Sequence, residues 1–303
     1  MKTFQWNHKG FTLAEMAIVV LLIGIAMTMG LKMMTATLQN TAITETKAKQ
    51  ERIKLALIGF LRTNGRLPCP DITTNPANAS YGLQDRVGIP DSNCTAPPAN
   101  VRPVLPWRDL GLSRDDVQDG WKNFFTYRVA NNTNLTKWTS RTGATAFTIN
   151  HLTSSIEANV LTVQERNGAA TSSITNPRGA IVCIISHGRN GLGARTIKGA
   201  ANTAPTSADE VENTDADSIF ITGPFNEAAI NGGPFDDFLA FMTPQDLLQP
   251  LISEKTLKAS CASYCTAVNL CPVAATCAAT NIPIGAAAIN PCACAVGEDL
   301  PRN

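Results

Sequence analysis

Residues able to do chemistry gather in a few places. Asp209, Glu210, Glu212, Asp215 and Asp217 fall within nine residues, with Asn213 among them and Asp236 and Asp237 following. Hard oxygen ligands carried on a loop suit Ca2+, which takes six to eight of them. The D-x-[DN]-x-[DN]-G spacing of an EF-hand is absent, and a solvated acidic loop is the plainer alternative. Ser186 and His187 are adjacent, so their side chains diverge if they end a strand, and a triad would need a base brought to a serine from elsewhere. Outside the first ten residues the only histidines are His151 and His187. G-x-S-x-G, H-E-x-x-H and P-loop patterns are missing. The expectation is a protein that is not an enzyme and takes no organic cofactor. A signal-anchored exported enzyme is the lesser alternative.

The remaining unusual carboxylate is Glu15, the only ionisable side chain between Phe11 and Leu31. About 20 apolar residues suffice to cross a bilayer as a helix. Lys2, His8 and Lys9 precede the run, which favours an N-in, C-out orientation and export of the rest of the chain. The run is longer than a secretory h-region of about 7–15 residues, and no small-x-small cleavage site closes it. A plain signal anchor fits the length but leaves Glu15 unexplained. A carboxylate at membrane depth costs about 2.5–3.5 kcal/mol on insertion scales and reads as functional, with a partner.

Export makes the nine cysteines disulfide candidates before metal ligands. Cys69 and Cys94 both lie in Pro-rich loops and are expected to pair; Cys183 lies in an apolar strand-like run and is expected to be a buried free thiol. Cys261, Cys265, Cys271, Cys277, Cys292 and Cys294 crowd the last 43 residues. Six cysteines allow 15 connectivities, which sequence does not separate. Zinc is the weaker reading, because no CxxC pair occurs and no histidine follows His187. The formal net charge is +1, which argues against broad nucleic-acid binding.

The elements that must position these residues follow from pattern. No proline occurs from Phe11 to Leu67, residues 35–63 are rich in helix formers, and Asn64-Gly65 supplies a stop. A helix over 11–64 would be about 80 Å long, apolar all round in its first half and amphipathic in its second. Strands are predicted within 120–130, 144–150, 159–165, 180–186 and 217–223, and a short helix over 243–260 interrupted near Pro250. Strands following a long helix suggest an antiparallel sheet packed upon it. The fold class is therefore α+β: a long N-terminal spine helix, an antiparallel sheet domain and a disulfide-rich C-terminal extension.

The stretch "KGFTLAE" ahead of an apolar run resembles the leader junction of type IV pilins and type II secretion pseudopilins. The resemblance implies that a prepilin peptidase cuts between Gly10 and Phe11 and N-methylates Phe11. It gives Glu15 a partner, the Phe11 ammonium of a neighbouring subunit, in a pairing that makes a buried carboxylate tolerable. It also implies a bacterial inner-membrane protein with a periplasmic domain, later assembled with other pilin or pseudopilin subunits into a pilus or pseudopilus. Many relatives carry a proline in the membrane half; here Gly24 and Gly30 are the only loosening residues.

The set "RLPCPD", "GW..FFTYRV", "ISHGRNG" and "FDDF" across 65–240 is similar to a subgroup of pilin-like proteins. Major pseudopilins carry a calcium-stabilised loop in a comparable place. That likeness points to Asp215 and Asp217 as Ca2+ ligands, with Asp209, Glu210 or Glu212 beside them. The expected organisation is a leader (1–10), a transmembrane and assembly helix (11–31), an amphipathic helix half (32–64), a globular domain (65–260) and a Cys-rich tail (261–303). Size and tail lean towards a minor fimbrial subunit. An adhesin or DNA-binding module using the tail is the alternative.

Overall fold

The computed structural model describes residues 12–86, 94–98, 101–130, 138–139, 160–176, 178–228, 232–254, 258–260 and 281–283. The strand expected over 144–150, the six tail cysteines, Gly10 and Phe11 lie outside them. The chain divides into two compact units, residues 1–45 and 46–303, taken here in turn. Helix α1 (Leu13–Asn64) is continuous in both.

In the first unit every side chain from Thr12 to Thr28 is exposed, although the stretch is almost wholly apolar. Leu13 is 89% exposed and Val20 64%, so this face has no core of its own to enter. Among the described residues no helix is long and apolar enough to cross a membrane; the continuous stretch of described side chains stops at Thr28, short of Leu31.

The second unit is built on the last turns of α1. Ile53, Leu57 and Leu61 recur every four residues and are fully buried with Phe60 beside them, the stripe an amphipathic helix presents to a core. Gln50, one turn earlier, is also buried. Its Nε2 donates to the carbonyls of Ile184 (3.1 Å) and Phe238 (2.9 Å), fastening the helix to two neighbouring strands. Gly65 follows α1 with φ of 66°, and its N–H donates to Leu61 O, the left-handed stop a glycine provides.

Two three-stranded sheets follow, along with a short two-stranded one. In the first sheet, β4 (Val182–Ser186) lies between β1 (Thr126–Val129) and β6 (Phe238–Met242), antiparallel to both. Ile184 pairs with Tyr127 on one side and Ala240 on the other. Every residue of β4 is buried, as befits a central strand covered on both faces. In the second sheet, β2 (Thr162–Asn167) pairs with β3 (Ala170–Ser173) in a hairpin and with β5 (Ile219–Thr222) in parallel. The first sheet is the antiparallel one expected from the sequence; the parallel pair in the second was not anticipated. β5 is reached only after β3, β4 and α2 (Ala208–Glu212), and so long a return lets it run the same way as β2. Strands β7 (Lys258–Ser260) and β8 (Asn281–Pro283) pair antiparallel.

Helix α3 (Pro244–Ser253) opens on a capping box between Thr243 and Asp246 and buries Leu247, Leu248 and Leu251. It was expected to break near Pro250 and resume to 260. Instead Pro250 sits inside it, the helix stops at Ser253, and residues 258–260 form β7.

The core joins α1, both larger sheets and α3. It includes an aromatic group in which Trp107 stacks on Phe124 at 5.3 Å and Tyr81 meets Trp107 edge-on at 5.0 Å. Gly82 has φ of +86°, and a Cβ there would lie 2.4 Å from the Trp107 ring, so no larger residue fits without displacing the indole. Cys69 and Cys94 form the expected disulfide, with Cα atoms 5.3 Å apart. Cys183 is a buried free thiol in β4, its pKa raised by burial.

Candidate functional site

At the start of α1, Thr12 and Glu15 form a reciprocal cap. Glu15 Oε2 accepts from the Thr12 N–H (2.8 Å) and Oγ1–H (2.9 Å), and the Glu15 N–H donates to Thr12 Oγ1 (3.2 Å). The arrangement satisfies donors that a helix N-terminus otherwise leaves free. Glu15 therefore has a local partner in the single chain. It remains exposed along with the apolar residues that follow it.

The acidic run does not act as one group. Asp209 is buried and forms a double contact with Arg166: Arg166 Nε donates to Oδ2 at 2.8 Å and Nη2 to Oδ1. The Arg166 guanidinium is held charged by that contact. Asp215 accepts from the Asp217 N–H (3.1 Å) and Asp217 from the Ile219 N–H (2.7 Å), so both carboxylates shape the turn that leads into β5. Arg128 holds the same turn by its backbone, donating to the carbonyls of Asp215 (3.0 Å), Ala216 (2.9 Å) and Asp217 (2.5 Å). Glu212 is partly exposed, and its pKa is raised by burial and then by Asp217, Asp215 and Asp209.

Only Glu210 of that run enters a carboxylate cluster, and its companions come from a distant stretch. One ligand oxygen each of Glu210, Asp236 and Asp237 lie within 4.8 Å of one another, and all three residues are buried. Helix α2 supplies Glu210; Asp236 and Asp237 stand just before β6. Amides and backbone N–H groups hold them. Asn190 Nδ2 donates to Glu210 Oε1 (2.9 Å), and the Asn190 N–H to Asp236 Oδ2 (2.8 Å). Asn213 Nδ2 donates to Asp237 Oδ2 (2.8 Å) while Asn213 exchanges two bonds with the Ile221 backbone. Burial, then repulsion from Glu210, pushes the Asp236 carboxyl up to about 6. Asp237 is driven well above the usual carboxylate range by burial, then by Glu210 and Asp236.

Behind Asp237 lies His187, fully buried at the end of β4. Its Nε2 is 2.9 Å from Thr126 Oγ1, and its Nδ1 is 3.8 Å from Asp237 Oδ1. Burial, then the Arg102 charge, brings its pKa down to about 3, so the ring is neutral. Thr126, His187 and Asp237 thus stand in the order hydroxyl, imidazole, carboxylate. All three are buried, Thr126 being only 3% exposed. Ser186 turns the other way, as its adjacency to His187 suggested, and donates to Asp119 Oδ2 at 2.7 Å.

Sequence reasoning missed the parts played by Asn190, Asn213 and His187. The available signal was the "SHGRNG" and "FDD" stretches, whose convergence only the sheet reveals. No curated protein and no solved structure matches the chain. Residues 7–31 match the prokaryotic N-terminal methylation motif, so the chain carries the prepilin-type motif of type IV pilins and pseudopilins.

Proposed function

We propose that the chain is a structural subunit, of the minor kind, of a type IV pilus or type II secretion pseudopilus. Prepilin peptidase would cut it between Gly10 and Phe11 and methylate Phe11. The observation that carries the reading is the methylation motif at 7–31, running into a helix whose side chains from Thr12 to Thr28 are all exposed and almost all apolar. Water is a poor solvent for that face. A bilayer before assembly and neighbouring helices after it would cover the face, so the 11–31 segment serves as anchor first and as packing surface later. Residence in the bacterial inner membrane with the later residues exported follows from the same reading.

The role is structural rather than catalytic. Its support is the burial of the Thr126–His187–Asp237 row, the arrangement nearest to a catalytic one among the described residues. Glu15 caps its own helix through Thr12, and in a fibre it would exchange that partner for a neighbour's Phe11 ammonium.

The test is incorporation into sheared fibres. Wild-type chain is expected in the fibre fraction of cells that have prepilin peptidase and absent from it in cells that lack the enzyme. Glu15→Ala is expected to remain in the membrane fraction with fibre incorporation reduced about tenfold or more, the loss of roughly one buried charge pair. Equal incorporation of the variant would contradict the assembly role of Glu15.

A further inference from the structure

Three carboxylates in a buried cluster raise the question of what balances them. Among the described residues no lysine or arginine forms an ion pair with Glu210, Asp236 or Asp237. Their partners are neutral: Asn190, Asn213 and backbone N–H groups. Those partners leave oxygens over. Asp236 Oδ1 and Asp237 Oδ1 are buried with no hydrogen-bond partner, and so is His187 Nδ1, which faces Asp237. Unpartnered buried anionic oxygens are costly; two of them in a cluster of the three buried carboxylates of Glu210, Asp236 and Asp237 mark a place for a positive charge.

The spacing fits one. Oxygens bound to a single Ca2+ at about 2.3–2.6 Å stand no more than about 5 Å apart, and these three lie within 4.8 Å. An entry path exists as well. An open cavity of about 310 Å³ is lined by Glu210, Asp236 and Asn190, with Arg189 and Glu227 also on its wall.

We propose that Glu210, Asp236 and Asp237 form a binding site for a hard divalent cation, with His187 positioning Asp237 from behind the ligand shell. In the tautomer that lets Nε2 accept from Thr126 Oγ1–H across 2.9 Å, the imidazole proton sits on Nδ1, 3.8 Å from Asp237 Oδ1. At 3.8 Å the two atoms are not hydrogen-bonded; a slight approach on ion binding would make the bond by which a ligating carboxylate is commonly held in line. Asn190 and Asn213 fix the other oxygens of Asp236 and Asp237, which leaves Oδ1 of each free to coordinate. The bound ion would tie α2, the approach to β6 and the loop after β4 into one clamp. The site shares Glu210 with the acidic run but not the rest of it: Asp215 and Asp217 each accept a backbone N–H in the turn before β5, and Asp209 pairs with Arg166.

The test uses the full chain in detergent. Metal content is measured by native mass spectrometry. Thermal unfolding is then followed after chelation and after adding Ca2+, Mg2+ or Mn2+ at millimolar concentration. One equivalent of metal is expected in the chain, and at least one of the three ions should raise the midpoint of the chelated protein by about 5 °C or more. Asp237→Asn and Glu210→Gln should each lose that rise, whereas the double variant Asp215→Asn, Asp217→Asn should keep it. A wild-type chain that holds no metal and does not respond to any of the ions overturns the site and leaves the carboxylates balanced by protons. A response lost in the Asp215, Asp217 double variant but kept in Glu210→Gln also overturns it and returns the ion to the loop.

Discussion

Asp71 carries its carboxyl into the interior, where Oδ1 accepts from the Thr73 N–H (2.7 Å) and Oδ2 from the Gly82 N–H (2.9 Å). Burial nevertheless outweighs those bonds, and the Arg195 charge, and pushes the group up to about 6. A carboxyl whose folded pKa is raised binds its proton more tightly in the native state than in the unfolded one. Its contribution therefore weakens the fold as pH rises from about 4 to about 6, with the full penalty present above that window. Urea midpoints measured across this range are expected to fall with rising pH, and Asp71→Asn should flatten part of that fall. Some slope should persist, because burial also raises Asp119. An unchanged slope in the variant would show that Asp71 is not among the groups responsible.

At the scale of elements, the second half of α1 is the piece on which the domain is laid. Leu57 is fully buried, and Leu55, two residues earlier on the same helix, is 70% exposed. Leu57→Ala is expected to cost about 2–5 kcal/mol in denaturant unfolding, through lost burial and the cavity left behind. Leu55→Ala should change stability by no more than about 0.5 kcal/mol. Equal effects at the two positions would mean that α1 does not present the face described.

That face was legible in advance because helical spacing is a local signal; so were β1, β2, β4 and β5, whose apolar runs stand between turn residues. Strand β6 was not, since "FLAFM" is a short continuous apolar run that suits a buried strand or a helix equally. Nor was the parallel pairing of β2 with β5, which depends on partners as far apart in sequence as Thr162 and Ile219. The same limit shaped the reading of the acidic residues. Proximity in sequence grouped Glu210 with Asp215 and Asp217, while the fold groups it with Asp236 and Asp237. Pairing of Cys69 with Cys94 was readable, because both stand in loops of one Pro-rich segment.

For the whole molecule, two kinds of surface meet on one chain. The described residues of the second unit close around a core. The apolar stretch before them stays exposed and calls for lipid or neighbouring helices. A prepilin-type motif stands at the head of that stretch, and under the proposed function the contrast has a purpose: a domain exported on an anchor that is later handed over to a fibre. Under that proposal the handover would begin with a cut between Gly10 and Phe11, so intact mass and N-terminal sequence are the most direct measurement. From cells with prepilin peptidase, the account predicts a chain beginning at N-methylated Phe11; from cells without it, a chain still beginning at Met1. A chain that keeps Met1 when the peptidase is present, or one cut beyond residue 30, would contradict the account.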